Sequence, residues 1–156
     1  MVWNAKQWKG QFELLTTQRN SNQKSEAMFL LRNMRADVFK HTLFLVQQGH
    51  YYAENGQKIN FPNSENLITN TRFYTTPKTV HHLPSLKEET IVKVENLDCL
   101  LAAERLLKEG YHPAVLNMAS RQNPGGGVQT GAGAQEENLF RRTNLFQSLF
   151  QFVPYA

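Results

Sequence analysis

Glu136 and Glu137 are adjacent carboxylates, and with Gln135 before them they follow three consecutive glycines after a gap of seven residues in the segment NPGGGVQTGAGAQEENLF, residues 123–140. Five of the nine glycines of the chain fall between Gly125 and Gly133. Consecutive glycines admit positive φ and put no Cβ between main-chain N–H groups and a ligand. A loop of that kind suits phosphate oxygens when it leads into the positive end of a helix. No Gly-Lys-Ser/Thr follows, so this is not a Walker loop, and three contiguous glycines lack the spacing of the dinucleotide fingerprint. A tight turn that holds no ligand stays open as an explanation. The carboxylates also admit two readings. Acidic residues in a first helical turn favour the macrodipole, and Glu137 with Arg141 makes a favourable i, i+4 order, which would be a surface capping feature. Alternatively, two carboxyls beside an anion-binding loop repel one another and burial disfavours charge, so one of the pair keeps a proton for general acid catalysis.

The elements that must position this segment are legible by period. After the loop, Leu139, Thr143, Phe146 and Phe150 recur at intervals of four, three and four, which predicts a helix starting near Gln135 or Glu136 and puts both carboxylates in its first turn. Before the loop, ETIVKVENL reads as a strand, DCLLAAERLLKEG as a helix ended by Lys108 and Gly110, and HPAVLNMAS as a second strand. That order predicts a βαβ unit with parallel strands and a right-handed crossover. The glycine loop would then leave the carboxyl end of the second strand, where open α/β sheets bind ligands. Further upstream, Leu31, Met34, Val38 and Leu45, with Thr42 between, predict one amphipathic helix over residues 26–48, stopped at Gly49. HYYAENGQKINF carries an Asn55-Gly56 hairpin turn signal. Residues 62–87, with Pro62, Pro77, Pro84 and His81-His82, read mainly as loop, with a short extended piece near Arg72 to Tyr74. Adjacent histidines on an extended chain point to opposite faces, so a metal role for His81 and His82 is disfavoured. Residues 1–25 read as a polar, irregular connection.

The bulk properties fit one soluble globular domain. At 156 residues the chain can bury one core. Charged residues at 19% and apolar residues at 40% fit neither disorder nor a membrane protein. Cys99 is the only cysteine, so no internal disulfide and no cysteine-cluster metal site can form, and a reducing compartment fits best. The N-terminus has no signal-peptide apolar run, and no stretch approaches the ~20 apolar residues of a membrane span. The formal charge of +4 suits a polyanionic partner, yet the basic residues form no dense run and a solvated surface explains them equally well.

Gly-Gly-Gly, seven residues, then Gln-Glu-Glu resembles the signature of poly(ADP-ribose) glycohydrolases. The wider segment VLNMASRQNPGGGVQTGAGAQEENLFRRTNLF is similar to their microbial-type branch, in which a strand ending in Asn-x-Ala precedes Asn-Pro-Gly-Gly-Gly. The likeness extends more loosely over about Arg32 to Phe150 and is specific in residues 115–143. It implies a macrodomain, a three-layer α/β/α sandwich around a mixed sheet. It further implies binding of ADP-ribose and hydrolysis of the ribose–ribose O-glycosidic bond of poly(ADP-ribose). Carried over residue by residue, Glu137 is the catalytic carboxyl and Glu136 hydrogen-bonds the ribose hydroxyls. Gly125, Gly126, Gly127 and Val128 line the diphosphate and distal ribose, Gln135 helps place the carboxylates, and Ser120 and Asn123 belong to the ribose-binding side.

The expected partners are poly(ADP-ribose) and ADP-ribosylated proteins, with ADP-ribose as product. No metal, no cofactor, no membrane and no direct nucleic-acid binding are expected, and the location is cytoplasmic, or nuclear in a eukaryote. Ser120 departs from the second Asn of many family members, which keeps a hydroxyl but loses an amide's paired donor and acceptor. The family continues well beyond residue 156, so the resemblance makes residues 26–156 the N-terminal portion of an incomplete macrodomain, with residues 26–87 an accessory helical region and 1–25 a polar extension. A sheet cut there would leave an open edge, and the isolated chain is expected to be weakly active or inactive. The alternatives to an enzyme are a non-catalytic ADP-ribose-binding module and an inactive truncated remnant.

Overall fold

The structure, a computed structural model, describes residues 4–19, 24–61, 65–76 and 90–150. Six α-helices, one 3-10 turn and one two-stranded sheet are formed among these residues. Their contacts divide into two units, residues 1–71 with 117–156, and residues 72–116.

In the first unit, helix α1 spans Ala5–Gln18 and α2 spans Lys24–Gln48. Residues 1–25 are therefore not an irregular connection throughout. Asn4 takes an extended conformation and its side chain accepts from Gln7 N–H, so α1 is started by a cap that an all-polar reading overlooks. Leu15 of α1 packs with Ala27 and Leu31 of α2, flanked by Phe12 and Met34. Helix α2 is the expected long helix, but its inward face is turned from the predicted stripe, because Phe39 rather than Val38 is fully buried. Glycine ends α2, with Gly49 at φ 78° and its N–H donating to Leu45 O and Val46 O.

The predicted hairpin follows. Strand β1, His50–Tyr52, pairs antiparallel with β2, Lys58–Asn60, with Tyr51 opposite Ile59. Gly56 has φ 79°, and the Asn55 side chain accepts from Gln57 N–H, so the Asn-Gly pair makes the turn by the means its composition suggested. Helix α3, Glu65–Asn70, occupies part of what reads in sequence as loop. Arg72 to Tyr74 form no strand. His81 and His82, with Pro62, Pro77 and Pro84, lie outside the described residues.

The second unit contains α4, Cys99–Lys108. Asp98 caps its start by accepting from Leu100 and Leu101 N–H. Gly110, at φ 89°, closes its end, with Gly110 N–H donating to Leu107 O and Tyr111 N–H to Leu106 O. The helix of the expected βαβ unit is thus present, whereas the segments expected as its strands carry no ladder among the described residues. The apolar, β-branched pattern is real, but Ile91, Val92 and Val94 are 77%, 84% and 96% exposed. Parallel strands persist only where both faces of a sheet are covered. The fold class is α/β, mostly helical, and the only sheet among the described residues is the β1–β2 hairpin.

Helices α5, Gln135–Arg142, and α6, Leu145–Leu149, replace the single helix predicted after the loop. The break is at Thr143, which is extended (φ −140°, ψ 173°). Its hydroxyl donates to Leu139 O and accepts from Leu145 N–H, ending one helix and starting the next. The core of the first unit is Phe39, Val128, Phe140 and Phe146, supplied by α2, the 3-10 turn Val128–Thr130, α5 and α6. Phe39 meets Phe146 edge to face with centroids 6.1 Å apart.

Candidate functional site

The loop and the carboxylates form one structure around the first turn of α5. Glu136 and Glu137 are 3% and 6% exposed. One oxygen of Glu136 accepts from Ser120 N–H at 2.6 Å and the other from Gly125 N–H at 2.9 Å. In Glu137, Oε1 accepts from Gly127 N–H at 2.9 Å and Oε2 from Ala134 N–H at 3.0 Å. The Ala134 bond is the carboxylate half of a capping box: the glutamate at the third helical position reaches back to the residue that begins the helix. Each charge-assisted bond is worth about 1.5–3 kcal/mol.

The glycines are explained by this packing. Gly125 has φ 80°, and a Cβ there would lie 2.6 Å from the Phe140 ring. Gly126 has φ 53°, and a Cβ would lie 2.5 Å from Glu137 Oε1 and 3.2 Å from Glu136 Oε2. At Gly127 a Cβ would come within 2.9 Å of Ala132 Cβ. Gly126 N–H donates to Asn123 O at 2.9 Å. All three glycine N–H groups therefore donate inward, two to the glutamates and one to the loop itself. The sequence suggested amides offered to a ligand; the structure has them grip the carboxylates. The buried glutamates, acceptors at the positive end of α5, are the cause.

The remaining candidates are brought to the same place. Gln135 Oε1 accepts from Met118 N–H at 2.9 Å, tying the segment before the loop to the first residue of α5. Ser120 Oγ accepts from Gln122 and Asn123 N–H, each at 3.3 Å, and so shapes the entry to the glycines. Val128 is 2% exposed and anchors the loop in the aromatic core.

Several residues of the site carry no sequence signal. One of the two readings of the glutamates pairs Arg141 with Glu137 at i, i+4 on the surface. Arg141 is buried instead, and donates to Ala132 O at 2.7 Å and to Asn138 Oδ1 at 2.9 Å. Burial, reinforced by the charge of Arg35 and opposed by that of Glu137, holds the Arg141 guanidinium below its ordinary pKa. Thr42 of α2 donates to Arg141 O at 2.7 Å, fastening α5 to α2. Gly131, at φ 74°, lies so close to Arg32 O of α2 that a Cβ would overlap it. Asn117, in the Asn-x-Ala stretch, buries an Oδ1 that has no hydrogen-bond partner among the described residues. Among the described residues no group of three or more His, Cys, Asp or Glu side chains could hold a metal ion, and no helix is long and apolar enough to cross a membrane.

Loop, helix and carboxylates define an α/β protein with a paired-glutamate site clasped by backbone amides. The chain belongs to the family of microbial-type poly(ADP-ribose) glycohydrolase (PARG) catalytic domains, whose sequence model matches residues 40–155. It is similar to the crystal structure of the poly(ADP-ribose) glycohydrolase from Thermomonospora curvata, with a TM-score of 0.62 and 29% identity. The match covers 76% of this chain and 46% of that one, so the chain spans just under half the length of that relative. No curated protein matches.

Proposed function

We propose that the protein hydrolyses ribose–ribose O-glycosidic bonds of poly(ADP-ribose), releasing ADP-ribose, with Glu137 as general acid and then general base. The observation that carries this reading is the buried carboxylate of Glu137, fixed from two sides by Gly127 and Ala134 N–H in a chain of this family. A fixed carboxyl is what the chemistry needs. Cleavage passes through an oxocarbenium-like transition state, so the Glu137 carboxylic acid donates its proton to the departing ribose oxygen. The resulting carboxylate takes a proton from the attacking water, and the acid is restored. A carboxylate has about four acceptor positions, and two backbone bonds leave room at Glu137 for these transfers.

In the same reading Glu136 accepts from ribose hydroxyls. Gly125, Gly126, Gly127 and Val128 line the diphosphate and distal ribose, with Ser120 and Asn123 on the ribose side. Gln135 positions the pair, and its bond to Met118 N–H supports that role. Because the amides of Gly125 and Gly127 already donate to the glutamates and that of Gly126 to Asn123 O, the loop contributes shape and close approach, while charge compensation for the diphosphate comes from elsewhere. The domain is a macrodomain-type three-layer sandwich, of which residues 26–156 form a part and 26–87 a helical accessory region. ADP-ribosylated proteins are the substrates' carriers, and the setting is cytoplasmic, or nuclear in a eukaryote.

The test is release of free ADP-ribose from poly(ADP-ribose) by this chain and by its Glu137→Gln variant. Release by the parent and at least about 10²-fold slower release by the variant support the reading, the size expected for loss of general acid–base catalysis. Equal release by both overturns it. Binding of ADP-ribose with unchanged polymer identifies a non-catalytic module.

A further inference from the structure

A cavity of about 260 Å³ opens where the end of α1, the middle of α2 and the loop after the 3-10 turn meet. Arg19, Arg32 and Arg35 line it together with Ala132 and Gly133 and the apolar Met28 and Leu31. The space far exceeds the ~10–15 Å³ that a single water needs. Among the described residues no carboxylate lines it. The ion pairs found among the described residues use Lys9, Lys40, Arg105 and Lys108, not these three arginines.

Arg35 is held in place, while Arg19 and Arg32 are exposed. The Arg35 guanidinium lies over the Phe12 ring, 5.3 Å from its centroid. Its other side rests against Gly133, where a Cβ would come within 2.9 Å of Cζ. Glycine at 133 thus makes room for a cation. Burial, together with the charges of Arg19 and Arg32, pushes the Arg35 guanidinium below its ordinary pKa, and Arg141 feels Arg35 in turn. Convergent like charges without a carboxylate cost stability, and an oxyanion with several acceptor oxygens removes that cost through charge-assisted, often bidentate, bonds.

We propose that this cavity is an anion site for a diphosphate group, distinct from the Glu136–Glu137 site and joined to it through the single loop Gly127–Ala134. A diphosphate ester fits three guanidinium forks better than a single carboxylate does, because it offers enough oxygens and charge for all three. That the diphosphate belongs to a further unit of poly(ADP-ribose) rests on the function proposed above; the anion site itself does not.

The test titrates inorganic diphosphate, ADP-ribose and poly(ADP-ribose) against the full chain. The readout is the fluorescence of Trp8, whose ring stacks on Phe12 at 4.7 Å under Arg35, in a Trp3→Phe background. Inorganic diphosphate is expected to bind, to weaken with added salt, and to bind at least about tenfold more weakly after Arg35→Gln or Arg19→Gln, the size of one lost charge-assisted bond. Thermal denaturation provides the second measurement: diphosphate raises the Tm of the parent and not that of Arg19→Gln, an exposed position whose replacement the fold tolerates. Absence of a diphosphate response in the parent, or binding by both variants as tight as the parent's, overturns the site. Weaker binding of polymer with unchanged binding of ADP-ribose identifies a second polymer unit as the source. Weaker binding of inorganic diphosphate alone supports a site for free diphosphate esters. In the parent, polymer cleavage without diphosphate binding removes this site and leaves the function standing, whereas diphosphate binding without cleavage does the reverse.

Discussion

At the residue scale, the proposed mechanism gives Glu137 a catalytic job beside the structural one it has through Gly127 and Ala134 N–H, and substitution cannot fully separate the two. Glutamine keeps the shape but replaces one acceptor oxygen by an NH₂ that must face Gly127 or Ala134 N–H. Glu137→Gln should therefore lose turnover and also about 1–3 kcal/mol of stability through an unsatisfied buried donor, measurable by urea denaturation. Unchanged stability would mean that the loop does not depend on that carboxylate. Gly126→Ala is the complementary probe. Its Cβ would lie 2.5 Å from Glu137 Oε1, too close for the carboxylate to stay in place, at a φ of 53° that alanine adopts at about 1–2 kcal/mol. Loss of at least about 10²-fold in polymer cleavage is expected with a fold still intact by circular dichroism, since a displacement of 1 Å at a catalytic group is enough for that loss. The glycines and glutamates could be paired from the sequence because their spacing is local. The direction of the amides could not, because it depends on which buried group most needs donors.

At the element scale, α5 is the part that carries the site and α2 the part that holds α5. Phe140 is fully buried between Phe39 and Phe150 and touches the position a Gly125 Cβ would take. Phe140→Ala should cost about 3–5 kcal/mol in chemical denaturation and loosen the glycine loop with the core; a cost below 1 kcal/mol would show that the loop is held by its hydrogen bonds alone. The starts of α4 and α5, the hairpin turn and the end of α2 were legible, since Asp98, Asn55-Gly56 and Gly49 act within a few residues. The split at Thr143 was not, because a hydroxyl that serves two backbones leaves a helical period undisturbed. The strands around α4 failed for a different reason: β-branched residues state a preference for a sheet, but a sheet needs partners that local sequence does not contain.

At the scale of the whole molecule, charge and apolar surface are distributed in ways that composition conceals. The basic residues look scattered along the chain, yet folding gathers Arg19, Arg32 and Arg35 around one cavity. In residues 90–97, Ile91, Val92 and Val94 are exposed as a run. Such a run is an aggregation liability, so the chain should bind an apolar dye and scatter light at high concentration, and Val94→Lys should reduce both. Unaltered scattering would place the sticky surface elsewhere. A final consequence concerns the glutamate pair as an inheritance rather than as a catalyst. Because Glu136 and Glu137 splint the backbone from Ser120 to Ala134, a descendant that gave up cleavage and kept only recognition would still need both side chains to hold the loop in shape. The presence of Gln-Glu-Glu is thus a record of architecture, and turnover has to be read from the test tube.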